Sequence, residues 1–230
     1  MKVVVLIPAY NEADLIKCTV EAALHIPGVS QVVVIDDGSR DGTGLLAAEA
    51  GASVVGLPSN RGKGAALTAG WQKAPGDIYL LLDGDLGETA QFGRLLLEPI
   101  EAGEADMTIA KFGTEQGRGG GAMGFGLVRR FAAWAVRRYG GLDISSPLSG
   151  QRGVRAEVLS TAGGFGEGFG VEMALTLKSA WAGFRIREVE VPMQHRPTGL
   201  GLRGFVHRGR QLWHILGALR RCLKEREKAC

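Results

Sequence analysis

The chain has 230 residues, 45% hydrophobic and 22% charged, with 27 Lys and Arg against 24 Asp and Glu for a formal charge of +3. That length supports one well-buried core rather than two domains of ordinary size, and the composition excludes a disordered chain. Cys18, Cys222 and Cys230 are odd in number, far apart and match no metal-ligand spacing, which excludes a disulfide framework and fits a reduced, cytoplasmic setting.

The apolar start at 3–7 is too short for a signal peptide and reads as a first strand, followed by a loop at 8–11. A helix is expected over 12–25, a strand at 32–35 closed by Asp36-Asp37-Gly38-Ser39, a helix over 43–50 and a strand at 53–57. After the turn at 62–64 a helix runs to about residue 73, and 78–82 forms the next strand. Short apolar runs separated by helix-length segments are the pattern of a parallel α/β sheet. Beyond them come a glycine-rich stretch at 117–126, a basic amphipathic helix over 125–139, a second glycine-rich turn at 163–170, a helix over 171–182 and a strand at 186–191. A last amphipathic helix is expected over 205–228, so that 1–200 form the domain and 201–230 a basic segment packed on it or lying at a membrane surface.

Charge is unevenly spread. Residues 202–230 carry six Arg and two Lys against Glu225 and Glu227, a net +6, which leaves −3 for the rest. Arg118, Arg129, Arg130, Arg137 and Arg138 form a second basic block without an acid among them. Such concentration points to an anionic substrate or surface. A slightly acidic body and a tail with one Trp argue against nucleic acid as the partner. No apolar run approaches the ~20 residues that span a bilayer, so any membrane contact is expected to be peripheral, on the inner face of the plasma membrane, with Trp134 and the arginines around it at the interface.

In parallel sheets ligands bind outside the carboxyl ends of the strands, and the polar clusters of this chain fall there. Pro8-Ala9-Tyr10-Asn11-Glu12 follows the first strand, Asp36-Asp37 the second and Asp83-Gly84-Asp85 the fourth. Two carboxylates at i and i+2 after a strand suit a hard divalent cation, Mg²⁺ or Mn²⁺, which would bridge a diphosphate. Read alone, the same triplet is a turn with two solvated acids, and Asp36 to Ser39 is a cap for the next helix. Asn60-Arg61-Gly62-Lys63-Gly64 opens a helix whose amino end and Lys63 favour phosphate, although the spacing is not that of a Walker loop.

These segments, taken with Val5-Leu6-Ile7 and Val34-Ile35, stand in the order seen in family 2 glycosyltransferases, which the chain resembles from residue 1 to about 195. The resemblance implies the GT-A fold, a mostly parallel sheet flanked by helices. It also implies an inverting, metal-dependent transfer from a UDP- or GDP-linked sugar. Donor contacts would come from Pro8, Ala9, Tyr10, Glu12, Asp37, Lys63, Asp83 and Gly84, with Asp85 on the metal and Asp83 beside it.

The middle of the chain is similar to dolichyl-phosphate mannose synthase and polyprenyl-phosphate glycosyltransferases. The matching stretches are Ile109-Ala110-Lys111-Phe112, the glycine-rich loop, the basic helix and Ser149-Gly150-Gln151-Arg152. That likeness implies a lipid-phosphate acceptor held by Lys111, Arg118, Arg129, Arg130 and Arg196, with Arg152 among the catalytic groups. Gly168-Phe169-Gly170-Val171-Glu172 and Met193-Gln194-His195-Arg196 are similar to glucosyl-3-phosphoglycerate synthases, whose acceptor is small and soluble. By that likeness His195 joins the metal ligands and Glu172 serves the acceptor, as general base if the nucleophile is a hydroxyl. A sugar-phosphate nucleotidyltransferase shares the frame, but Pro8-Ala9-Tyr10-Asn11 stands where such enzymes place a glycine-rich loop. The sequence leaves oligomeric state open.

Overall fold

A computed structural model of the chain describes residues 1–112, 125–166, 170–194, 216–217 and 219–226. In chain order it holds β1 (Val3–Ala9), α1 (Ile16–Leu24), β2 (Val29–Asp36), α2 (Thr43–Glu49), β3 (Ser53–Gly56), α3 (Lys63–Lys73), β4 (Ile78–Leu81), α4 (Arg94–Glu101), β5 (Met107–Phe112), α5 (Phe125–Ala135), β6 (Arg152–Arg155), α6 (Ala156–Ala162), α7 (Val171–Trp181) and β7 (Ile186–Val191). The expected strands and helices of the first half are all present, with ends shifted by a few residues. The segment 87–106 carries elements the sequence reading left unassigned, a 3-10 turn (Gly87–Gly93) and α4.

The seven strands form one sheet in the order β3-β2-β1-β4-β6-β5-β7. All neighbours are parallel except those of β6, which runs against both β4 and β5. β1 is apolar throughout because helices cover both of its faces. Val4 and Leu6 point into one core with Val33, Ile35, Ala66 and Leu67. Val3, Val5 and Ile7 point into the other with Ile16, Val20, Ala23 and Val32.

Two features of the topology place the site. The chain leaves β1 toward β2 on one side and reaches β4 on the other, so the crevice at the carboxyl ends of β1 and β4 is a switch point of the kind where α/β sheets bind ligands. In addition, the reversed β6 pairs its first residue, Arg152, with Leu81 near the end of β4. Residues 149–151 therefore enter at the same edge of the sheet that the parallel strands leave.

The described part of the carboxyl-terminal segment packs on the domain. Leu219 joins the core, Cys222 is buried, Glu225 pairs with Lys178 at 3.0 Å and Arg226 lies over the Trp181 ring at 4.8 Å. No helix among the described residues is long and apolar enough to cross a membrane.

Candidate active site

The loops after β1 and β2 are tied to each other before either meets a ligand. Asn11, at φ 57°, donates its amide N–H to the Ser39 hydroxyl at 3.0 Å, and its side-chain oxygen accepts from the Arg40 N–H at 3.0 Å. The Glu12 N–H donates to the Thr43 hydroxyl at 2.9 Å, and Asp41 accepts from the N–H groups of Ala13 and Thr43. Asp41 thus serves the start of α2, a role the sequence reading gave to Asp36-Asp37-Gly38-Ser39. Asp36 accepts the Ser39 N–H at 2.8 Å, closing its own turn. Pro8 and Ala9 end β1 with Ala9 buried, and Tyr10 stands exposed beyond them.

Asp37 is 4% exposed, and its two oxygens accept the N–H groups of Arg61 and Gly62, each at 2.8 Å. This carboxylate clamps the loop that opens α3, with Gly62 at φ 88°, and so sets the position of Lys63. At the next residue, a β-carbon on Gly64 would stand 2.0 Å from the carbonyl oxygen of Gly166, a backbone atom. Gly64→Ala is accordingly expected to force α3 and the 163–166 loop apart, at about 1–3 kcal/mol of stability. Chemical denaturation measures this, and an unchanged midpoint would mean that the loop yields freely.

Lys63 is the hub of the site. Its ammonium lies 2.7 Å from Asp83 Oδ1 and 3.3 Å from Glu172 Oε1, joining the end of β4 to the start of α7. Burial pulls its pKa down, but the charges and hydrogen bonds of Asp83 and Glu172 outweigh that and hold it above the ordinary lysine value. Asp83 Oδ2 accepts from Gln151 Nε2 at 2.6 Å. A β-carbon on Gly150 would come within 2.3 Å of Lys63 Nζ and 3.1 Å of both Asp83 oxygens, so only glycine lets 149–151 pass this close to the pair. Gly84 turns inward, its missing side chain facing Glu12, Ala9 and Ile16 at 3.4–3.5 Å, and Thr19 donates to its carbonyl at 2.9 Å.

Asp83 and Asp85 offer hard oxygen atoms of the kind Mg²⁺ and Mn²⁺ take, so this pair fits a divalent ion. Each Asp83 oxygen also accepts from Lys63 or Gln151. Among the described residues no group of three or more His, Cys, Asp or Glu is gathered for a metal. His195, Arg196 and Arg118 lie outside the described residues. The last described residue before them, Gln194, is tied to Thr89 on the 3-10 turn after Asp85, its N–H donating to the Thr89 hydroxyl at 3.1 Å.

Arg152, expected among the catalytic groups, is 1% exposed and faces inward. It donates from Nε to the Ser149 carbonyl at 2.9 Å, from Nη2 to the Pro147 carbonyl at 2.8 Å and from Nη1 to the Thr176 hydroxyl at 2.8 Å. Arg152 thus holds the 147–151 loop against α7. Lys111, at the end of β5, pairs with Glu190 of β7 at 2.9 Å on the surface. Arg129 and Arg130 stand exposed on α5. Gln151 is a site residue that the sequence does not single out: it shows there only a polar residue beside Gly150, and the fold reveals that it is buried and meets Asp83.

With this geometry in hand, the comparisons decide the family. The model for Glycosyl transferase family 2 matches residues 4–152. The chain belongs to glycosyl transferase family 2. It is 28% identical over 214 residues to the undecaprenyl-phosphate mannosyltransferase of Micrococcus luteus, covering 86% of each. To the dolichol-phosphate mannosyltransferase of Pyrococcus furiosus it is 27% identical over 239 residues, which cover 97% of this chain and 64% of that protein. Among solved structures, glucosyl-3-phosphoglycerate synthase of Mycobacterium tuberculosis, in complex with Mn²⁺, UDP and phosphoglyceric acid, superposes with a TM-score of 0.78 at 26% identity, covering 96% of this chain and 78% of that one. A second complex of that enzyme holds Mg²⁺ and UDP. This glycosyltransferase therefore has the GT-A fold, as expected from its sequence.

Proposed function

We propose that this enzyme moves a sugar from a nucleoside-diphosphate donor to a polyprenyl-phosphate-like acceptor in one inverting displacement. The observation that carries the donor half is the Asp83–Lys63–Glu172 bridge at the switch point of the sheet. The nucleotide would lie over Pro8, Ala9, Tyr10 and Glu12, near Asp37, with Lys63 and the amino end of α3 facing its diphosphate. A divalent ion held by Asp85, with Asp83 adjacent, would neutralise charge on the leaving diphosphate.

In the displacement an acceptor oxygen bonds to the anomeric carbon while the carbon–oxygen bond to the diphosphate breaks, and the nucleoside diphosphate leaves with the electron pair. A phosphate acceptor is already an anionic nucleophile and needs no base. A hydroxyl acceptor would pass its proton to Glu172, whose side chain is 17% exposed beside Lys63. The names of the Micrococcus and Pyrococcus relatives favour lipid phosphate, and the basic face of α5 supports it. Arg129 and Arg130 on α5, and Arg137 and Arg138 on the π-helical turn that continues it (Val136–Gly140), are all exposed, with Trp134 52% exposed between them. The second reading, a small anionic acceptor such as phosphoglycerate, has the structural likeness to the Mycobacterium enzyme in its favour.

Thermal unfolding with UDP, GDP and their sugar conjugates, with and without Mn²⁺, tests the donor half. Stabilisation by one nucleotide that requires metal is expected, worth about 2.7 kcal/mol at a hundredfold excess over Kd, and its loss in Asp85→Ala. No response to any nucleotide would sink the transferase reading. On the acceptor side, each basic residue near an anionic bilayer contributes about 1 kcal/mol. Replacing Arg129, Arg130, Arg137 and Arg138 by Ser is expected to weaken binding to phosphatidylglycerol vesicles by roughly 10²–10³-fold. Equal vesicle binding by the quadruple variant, with radiolabelled sugar passing only into water-soluble product, would favour the soluble acceptor.

A further inference from the structure

We infer that Gln151 is a positioning residue of the donor site, its side-chain amide acting with the Lys63 ammonium to hold Asp83 in one orientation beside Asp85. The inference rests on the glycosyl-transfer reading and adds a residue to it. Gln151 is 1% exposed, and burying an amide is costly unless its atoms find partners. Here both ends do. Nε2 donates to Asp83 Oδ2 at 2.6 Å, and the Ser149 hydroxyl donates to Gln151 Oε1 at 3.3 Å. The carboxylate needs a donor, so the amide nitrogen must face Asp83; the reversed amide would set two acceptor oxygens together.

The segment that presents Gln151 is anchored from three directions. Glu188 of β7 accepts the Ser146 N–H at 2.6 Å and the Ser145 hydroxyl at 3.0 Å. Ser149 donates its N–H to the Ser146 carbonyl at 3.0 Å, and the buried Arg152 holds the Pro147 and Ser149 carbonyls. Pairing of Arg152 with Leu81 then fixes where residue 151 stands relative to residue 83. The Lys63 ammonium meets Asp83 at Oδ1 and is shared with Glu172. Gln151 supplies the second donor without adding a charge, so the cluster keeps its excess of carboxylate for a cation. A held Asp83 aims its remaining lone pairs at a constant point, which a freely turning carboxylate would not.

Two substitutions test the role, read by titration calorimetry with UDP–Mn²⁺ and GDP–Mn²⁺ and by steady-state kinetics. Gln151→Leu keeps bulk but removes the donor. Nucleotide–metal affinity is expected to fall by about 10–100-fold, the range for partners that orient a site's ligating groups, with donor KM moving more than kcat. Gln151→Glu keeps the shape but sets a carboxyl group against Asp83 in place of the donating amide, and is expected to lower nucleotide–metal affinity by at least as much.

If Gln151→Leu fails to fold, Gln151→Glu, close in shape to the native side chain, still decides the matter. Wild-type affinity in either variant, or a loss that falls on kcat with donor KM unchanged, overturns the role. A wild-type protein that binds neither nucleotide would instead overturn the transfer reading itself, and the role of Gln151 with it.

Discussion

Replacing Lys63 by Ala is expected to lower kcat by about 10²–10³-fold, the cost typical of removing one preorganised charge-stabilising donor from a reacting centre. The ammonium sits between two carboxylates on different elements, Asp83 after β4 and Glu172 at the start of α7. Without it they lose their shared counter-charge, and the departing diphosphate meets an excess of negative charge. Steady-state kinetics with saturating Mn²⁺ separates the cases. A twofold change or less in both kcat and donor KM would reduce Lys63 to a tie between two elements.

The pH behaviour of the same bridge follows from the direction of its shift. A lysine whose folded pKa is raised contributes stability that is fully present below its ordinary pKa and is lost as pH climbs through the raised value. The melting difference between wild type and Lys63→Ala should therefore stay level between about pH 7 and pH 9. A difference that decays across that interval would show the ammonium losing its proton early. The side chain is 32% exposed, so solvent screens part of the bridge's contribution to stability.

Truncating Arg152 to Ala is expected to cost about 3–5 kcal/mol, seen as a melting temperature lower by roughly 10 °C. The carbonyls of Pro147 and Ser149 and the Thr176 hydroxyl would lose their donor in a site 1% exposed, and a cavity would replace the side chain. Burial works against the native residue as well, pushing the guanidinium down to about 10 despite the negative charges of Glu172 and Glu188. Arg152→Met, which fills the space and removes the buried charge, should therefore recover part of the loss. Whatever folds should also bind donor more weakly, because the loop presenting Gln151 and the helix bearing Glu172 both rest on this side chain. A melting point within a degree or two of wild type would mean that water or a neighbouring donor satisfies the stranded acceptors.

The donor half of the site was legible because each of its parts is local. Pro8 to Glu12, Asp36-Asp37 and Asp83-Gly84-Asp85 each follow a run of buried strand residues, and strand ends in a parallel sheet share one edge. Lys63 was legible for the same reason, standing just after Gly62 at the start of α3. The contacts among these parts were not legible. Gln151 meets Asp83 across 68 positions and Arg185 meets Asp106 across 79, with nothing in the intervening composition to announce either. Nor does the sequence show that Arg152 is buried and holds the Pro147 and Ser149 carbonyls, which only the packing reveals.

By itself, the amino-acid sequence determined the alternation of strand and helix and the set of polar residues at the ends of β1, β2 and β4. Those depend on periodicity and on neighbours within a few positions, where each residue's preference is already set. Tertiary structure decided which of those residues touch. The reversal of β6 carries Gly150 and Gln151 to the edge where β4 ends, and the clamp by Asp37 turns Lys63 toward Asp83 and Glu172. Such contacts exist only once distant strands have paired, because strand register and close approach at glycine, not local preference, set the distances between them.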